Sequence, residues 1–173
     1  MEDTVNILPR LVAQDKLIFR VCVETGLRIS DVLKLRSDDV GKYIHVREQK
    51  TGKLRTVELS DELVAMLEAH RGSWYDIKST DMLFPSVRKP SKSVHRSAYH
   101  RRLKKACKAV GVDFSAHSTR KLFAQELMRA TGDIFLVQKA LNHKFLTDTC
   151  NYLDIDLGDL IKAATELKQL LKK

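Results

Sequence analysis

Two stripes run at helical spacing between Arg96 and Val110. Arg96, His100, Lys104 and Lys108 recur every four residues, and Tyr99, Leu103, Ala106 and Val110 form an apolar line beside them. Such a segment predicts a helix that packs on its apolar stripe and leaves a cationic ridge facing outward. From Met82 to Val112 there are nine lysines and arginines and no aspartate or glutamate. The whole chain carries 31 basic against 22 acidic residues, a formal charge of +9, so this one segment holds an excess equal to that of the molecule. A block of this kind points to a polyanion, such as nucleic acid or an acidic membrane surface. A solvated helix face is the plainer reading of a charge run, and the two-stripe spacing is what favours a binding ridge. Phosphate contacts from Arg96, His100, Arg101, Lys104 and Lys108 would give affinity without sequence information.

Composition removes several classes. A chain that is 43% hydrophobic and 31% charged is not disordered, and seven glycines with three prolines do not make a fibre. No apolar run approaches the roughly 20 residues of a membrane span. The start, Met1-Glu2-Asp3, lacks the basic-then-apolar layout of a signal peptide. Cys22, Cys107 and Cys150 are odd in number and far apart, without a Cys-x-x-Cys pair. They read as reduced thiols in a cytoplasmic setting and argue against disulfides or a cysteine-based zinc site. The length of 173 residues suits one compact domain.

The pattern along the chain predicts a mainly α fold with one small antiparallel β-sheet, an α+β class. Ala13 to Thr25 reads as a helix with Leu17, Ile18, Val21 and Cys22 inward and Gly26 as its C-terminal cap. Ser30 is expected to cap a short helix carrying Val32, Leu33 and Leu35. Lys42 to Gln49 alternates with Ile44 and Val46 on one face, Lys50-Thr51-Gly52-Lys53 signals a turn, and Leu54 to Leu59 reads as the return strand. Ser60 caps a helix over Asp61 to His70, and Arg71 to Ser93 is looser. After the basic helix, which stops near Gly111, helices are expected over Ser118–Ala130, Ile134–Leu141 and Thr147–Tyr152. A last helix follows Gly158, with Leu160, Ala164, Leu167 and Leu171 at helical spacing.

Several polar residues need explaining. Arg28 lies between two helices in Thr25-Gly26-Leu27-Arg28-Ile29-Ser30-Asp31, Lys50 at the hairpin turn, and His117 and Arg120 at the opening of a helix. His143 ends Leu141-Asn142-His143, and Tyr152 lies nine residues further on. Taken singly, most have ordinary structural roles: His117 or Ser118 as an N-cap, His143 as a helix-dipole partner, Tyr152 as a half-buried aromatic.

As a set, Arg28, Lys50, His117, Arg120, His143 and Tyr152 resemble, in order and local context, the catalytic domain of tyrosine recombinases, the phage-integrase family. The matching pieces are Thr-Gly-Leu-Arg-Ile-Ser-Asp, Lys-Thr-Gly-Lys, His-Ser-Thr-Arg, Leu-Asn-His and the downstream tyrosine, spanning about Leu17 to Leu153. The Gln-Lys-Thr-Gly hairpin is more similar to phage and transposon integrases than to chromosome-dimer resolvases. The resemblance implies that Tyr152 attacks a DNA phosphodiester, forming a 3′-phosphotyrosyl link and freeing a 5′-hydroxyl. Arg28 and Arg120 would clamp the phosphate and His143 would add a hydrogen bond. His117 would accept a proton or order the site. Lys50 would protonate the departing oxygen, with Lys53 the alternate. Asp31 stands where the family has a carboxylate, more often Glu, and is expected to orient the site or simply to charge a helix start. Thr119 and Lys121 flank the second arginine and are candidates to touch phosphate. No metal and no cofactor is implied, because the arginines take the place of a divalent cation.

The resemblance also implies double-stranded DNA and other recombinase protomers, in a cyclic tetramer, as partners. It implies no membrane partner, and a cytoplasmic location associated with the nucleoid. The chain reads as a single catalytic domain over residues 1–173, without the N-terminal domain that clamps the far face of DNA, so reduced affinity and site specificity are expected. Its tail, residues 158–173, would dock on a neighbouring protomer or fold back on its own domain. A type IB topoisomerase uses similar chemistry but needs no docking tail. A non-catalytic DNA-binding protein would not need all six residues.

Overall fold

A computed structural model describes residues 6–73 and 81–156, with residues 158 and 162. The backbone divides into two compact units, Met1–Arg120 and Lys121–Lys173, and each is taken by itself.

The first unit is built on α1 (Ala13–Thr25), which buries Leu17, Ile18, Phe19, Val21 and Cys22. Gly26 takes the left-handed conformation, φ 62°, and its N–H closes the helix on the Cys22 carbonyl. The short α2 (Ile29–Val32) starts earlier than expected: its N-cap is Arg28, which makes no side-chain capping bond, and Ser30 lies inside the helix. The tight Gly26 turn is followed at once by an extended Arg28, φ −71° and ψ 143°, so the helix opens before Ser30 is reached. Val32, Leu33 and Leu35 are buried as the apolar spacing required.

Strands β1 (Tyr43–Arg47) and β2 (Leu54–Glu58) pair antiparallel with Tyr43 opposite Glu58 and Arg47 opposite Leu54. Ile44 and Val46 face the core. Gly52 supplies the positive φ, 68°, that the connecting turn needs. In α3 (Asp61–Ser73) the Ser60 hydroxyl accepts from the Leu63 N–H at 3.2 Å, the expected cap.

A second hairpin, β3 (Pro85–Ser86) with β4 (Lys89–Ser93), lies where the sequence reads as loose. Lys-Pro-Ser-Lys-Ser has no apolar alternation and contains a proline, so this strand exists through pairing and carries no burial signal. The basic helix, α4 (Arg96–Ala109), buries Tyr99, Leu103, Ala106 and Cys107 and leaves Arg96, His100, Lys104 and Lys108 exposed, as its two stripes demand. Its flank is held by Arg102, which donates from Nη2 to the buried Asp15 at 2.7 Å.

Helix α5 (Ala116–Thr131) opens at the end of the first unit. In the second unit, α6 (Ile134–Leu141) is capped by Asp133, whose carboxylate accepts from the Phe135 and Leu136 N–H groups. Helix α7 (Leu146–Leu153) ends on a left-handed Asp154. Ala124, Val137 and Leu141 form a small core, with Phe123, Leu127, Met128, Tyr152 and Leu153 packed on it. The expected tail helix, with Leu160, Ala164, Leu167 and Leu171, lies outside the described residues. Among those residues no helix is long and apolar enough to cross a membrane.

Candidate active site

In the first unit a cavity of about 320 Å³ is lined by Arg28, Lys50, Arg96, His100, His117 and Arg120, with no acidic residue at its wall. Four of the six residues expected to carry the chemistry therefore meet there. Arg28 comes from the α2 N-cap, Lys50 from the β1–β2 turn, and His117 and Arg120 from the first turns of α5. Arg96 and His100, expected only as general phosphate contacts, reach the same cavity from the first turns of α4. Lys53 does not line it, which separates the two hairpin lysines. A concave wall made only of cations and imidazoles among its ionisable groups is a receptor for an anion such as phosphate.

Arg120 is 1% exposed, and its Nη1 donates to the Gly26 carbonyl. The glycine turn thus serves two ends, stopping α1 and offering its oxygen to a buried guanidinium. Arg28 donates from Nη1 to Glu48 Oε2 at 2.9 Å. Glu48 is fully buried, and its other oxygen lies 3.7 Å from Arg55 Nη1. Burial pushes the Glu48 carboxyl up, but the Thr51 hydroxyl and the Arg28 and Arg120 cations outweigh it and hold the group below the usual carboxylate range. Burial pulls Arg55 down while Glu48 opposes that, and Arg55 also donates to the Thr25 carbonyl.

The residue that pairs with Arg28 is therefore Glu48, which the sequence reading missed. A signal was present: Ile44, Val46 and Glu48 share one parity, so an acid falls on the apolar face of the strand just before Lys50. Asp31, 2% exposed, accepts from the Gln49 N–H at 3.0 Å and so holds the hairpin end.

His117 opens α5 beside a serine cap. Ser115 Oγ accepts from the His117 and Ser118 N–H groups, and Ser118 Oγ accepts from the Ser115 N–H at 3.0 Å. The capping residue is thus Ser115, with Ser118 in reciprocal partnership. Partial burial, then Arg120, Arg28, Arg96 and Lys50, draw the His117 pKa below the ordinary imidazole value. A neutral imidazole among cations is a proton acceptor. Thr119 is buried and donates to the Ala116 carbonyl at 2.8 Å, so it packs inward and does not line the cavity. Lys121 pairs with Asp154 at 2.6 Å.

In the second unit His143 and Tyr152 lie together. Their rings meet edge-on with centroids 5.1 Å apart. His143 Nδ1 is 3.0 Å from the hydroxyl of the buried Thr149, a contact that orients the ring. His143 follows a left-handed Asn142 that ends α6, and Tyr152 stands one turn beyond Thr149 on α7.

Arg101 departs from the rest of the basic list. With Arg88, His95 and Arg102 it lines a separate cavity of about 540 Å³ in the first unit.

The sequence model of the phage integrase family matches residues 2–157. Tyrosine recombinase XerA of Saccharolobus solfataricus is 31% identical over 151 residues, covering 85% of this chain and 48% of that protein. The probable integrase/recombinase YoeC of Bacillus subtilis is 32% identical over 154 residues, 87% of this chain and 82% of that one. A crystal structure of XerA recombinase superposes with a TM-score of 0.78 at 24% identity, over 95% of this chain and 62% of that one. The chain thus spans about half the length of the first of these relatives.

Proposed function

This chain belongs to the phage integrase family, and from that membership we propose that it is a site-specific recombinase that cleaves and rejoins double-stranded DNA through a 3′-phosphotyrosyl intermediate. The observation that carries the reading is the convergence of Arg28, Lys50, His117 and Arg120 on one acid-free cavity. These residues come from separate parts of the chain, and Glu48, which answers part of the charge of Arg28 and Arg120, does not line the cavity they share with Lys50 and His117.

In the proposed reaction the Tyr152 hydroxyl attacks the phosphorus. A bond forms from the phenolic oxygen to phosphorus, and the bond from phosphorus to the 5′-oxygen breaks. The phenolic proton passes to His117, and the 5′-oxygen leaves as a hydroxyl after taking a proton from Lys50. A phenol with a pKa near ~10 needs that acceptor at neutral pH. Arg28 and Arg120 present planar forks to the non-bridging oxygens, where negative charge gathers in the transition state. Loss of one such donor costs about 10²–10³ in rate. His143 adds a further hydrogen bond to the same phosphate. Rejoining reverses each step with a new 5′-hydroxyl, so the energy of the broken bond is kept in the intermediate. We assign the ridge of Arg96, His100, Lys104 and Lys108 to the DNA backbone, with Arg101 contributing from its flank. Recombination in this reading joins several protomers in a cyclic tetramer, for integration or excision of a mobile element.

The test is covalent trapping. Nicked duplexes drawn from the DNA flanking its gene are mixed with the protein, denatured in SDS and examined for a shifted band. The expected result is a band from the unaltered protein and none from Tyr152→Phe, with DNA binding retained. A band that persists in Tyr152→Phe assigns the attack to another nucleophile.

A further inference from the structure

We propose that Glu48 and Thr51 are positioning residues that tie the hairpin lysine to the arginine clamp. The proposal rests on the recombinase reading above and names how two of its parts are kept in register.

Lys50 itself makes no hydrogen bond or ion pair among the described residues, and its side chain is exposed. Its position depends on its neighbours, and both are held. On one side the Gln49 N–H donates to Asp31 Oδ1 at 3.0 Å. On the other the Thr51 hydroxyl donates to Glu48 Oε2 at 3.0 Å. That same Oε2 accepts Arg28 Nη1 at 2.9 Å. One carboxylate oxygen thus sets the guanidinium and the turn that carries the lysine. Two backbone bonds close the turn around it: Glu48 N–H to the Lys53 carbonyl at 3.0 Å and Gly52 N–H to the Glu48 carbonyl at 2.8 Å.

A Glu48 carboxylate repels the phosphate that the cavity is proposed to hold, a cost set against its attraction to Arg28, Arg120 and Arg55. Its burial is also costly unless it is paired and hydrogen-bonded. Both costs are met where the group serves geometry. Arg28 turning toward a phosphate draws on the oxygen that holds Thr51, so the general acid and the clamp take up their places together. General-acid catalysis depends on hydrogen-bond reach to the leaving oxygen, and a turn shifted by a fraction of an ångström loses it.

A pair of substrates separates this role from a merely structural one. In one the 5′-bridging atom is oxygen; in the other it is sulfur, whose thiolate leaves without a proton. The rate of covalent attachment is measured on both for Thr51→Val, Thr51→Ser, Glu48→Gln and Lys50→Ala. Thr51→Val keeps the shape of an exposed residue and leaves Glu48 in place. On the oxygen substrate it should be slowed about tenfold or more, within the range of general-acid catalysis. It should recover the unaltered rate on sulfur, as Lys50→Ala should, and Thr51→Ser should restore it on oxygen. Glu48→Gln, which also loosens Arg28, should be slow on both, and slower on oxygen. Equal deficits of Thr51→Val on the two substrates, or none on oxygen, overturn the proposal and leave the recombinase reading intact. An unaltered protein that attaches to neither substrate overturns that reading and this one with it.

Discussion

His117 shares its cavity with Arg28, Arg96, Arg120 and Lys50, and these cations, after burial, disfavour its protonated form. The sign of the resulting pH dependence follows. A proton acceptor works while neutral, so the rate of covalent attachment should fall only as pH drops through a value below the ordinary 6.5. Arg96→Gln removes one of the opposing charges and should move that acidic limb upward. A rate profile measured in both proteins checks this; a limb that stays in place removes His117 as the titrating group. Glu48 titrates with the opposite consequence. Its folded-state pKa lies below the ordinary carboxylate value, so it adds stability above that ordinary value and loses it as pH falls through the depressed one. Thermal unfolding of Glu48→Gln should therefore depend less on pH across that acidic window than the unaltered protein. At this scale the residues proposed to carry the chemistry stand out in the sequence because cations and a late tyrosine recur in a recognisable order, and four of them line one cavity. Glu48 does not stand out, since one acid beside many charges carries no order of its own, and only its strand parity marked it as inward.

Helix α4 shows why some elements can be read from a sequence and others cannot. Its cationic and apolar residues differ by side of the helix, so periodicity alone gives its buried face. Gly26 and Gly52 announce turns through the backbone conformations they permit. Strand β4 offers no such signal, because Lys-Pro-Ser-Lys-Ser is stabilised by pairing with β3 across an exposed edge. Ser30 misled for a related reason: a good capping residue was preceded by a turn that had already started the helix. The buried stripe of α4 also carries a polar defect. Tyr99 is fully buried and its hydroxyl has no hydrogen-bond partner among the described residues. Burial accordingly pushes the phenol far above its ordinary range. An unsatisfied buried hydroxyl costs about 1–3 kcal/mol. Tyr99→Phe keeps the ring in its packing and removes the defect, so its melting temperature should equal or exceed that of the unaltered protein. A clear loss would mean that the hydroxyl is bonded to an ordered water.

Across the molecule, what matters about the charge is where it is answered. Lys42 is engaged by Asp61 at 2.6 Å and by Glu58 at 3.6 Å. Arg129 is engaged by Glu126 at 2.8 Å. Between Met82 and Val112 there is no acid in the sequence to do the same, and Arg102 reaches outside the segment to find Asp15. Arg96 and Lys104 are exposed and make no ion pair among the described residues. Counterions therefore gather at this ridge, and DNA binding there would release them. Each phosphate neutralised contributes about 0.9 to the slope of log affinity against log salt on duplex DNA. Arg96→Gln with Lys104→Gln should thus lower that slope by close to two such steps and weaken binding alike on all sequences. Lys42→Gln with Arg129→Gln removes the same formal charge from sites already answered and should leave the slope as it was. If the two pairs act equally, binding follows net charge and the ridge has no special place in it. If only the first pair acts, the DNA lies along α4, on the helix whose first turns open into the cavity of Arg28 and Arg120.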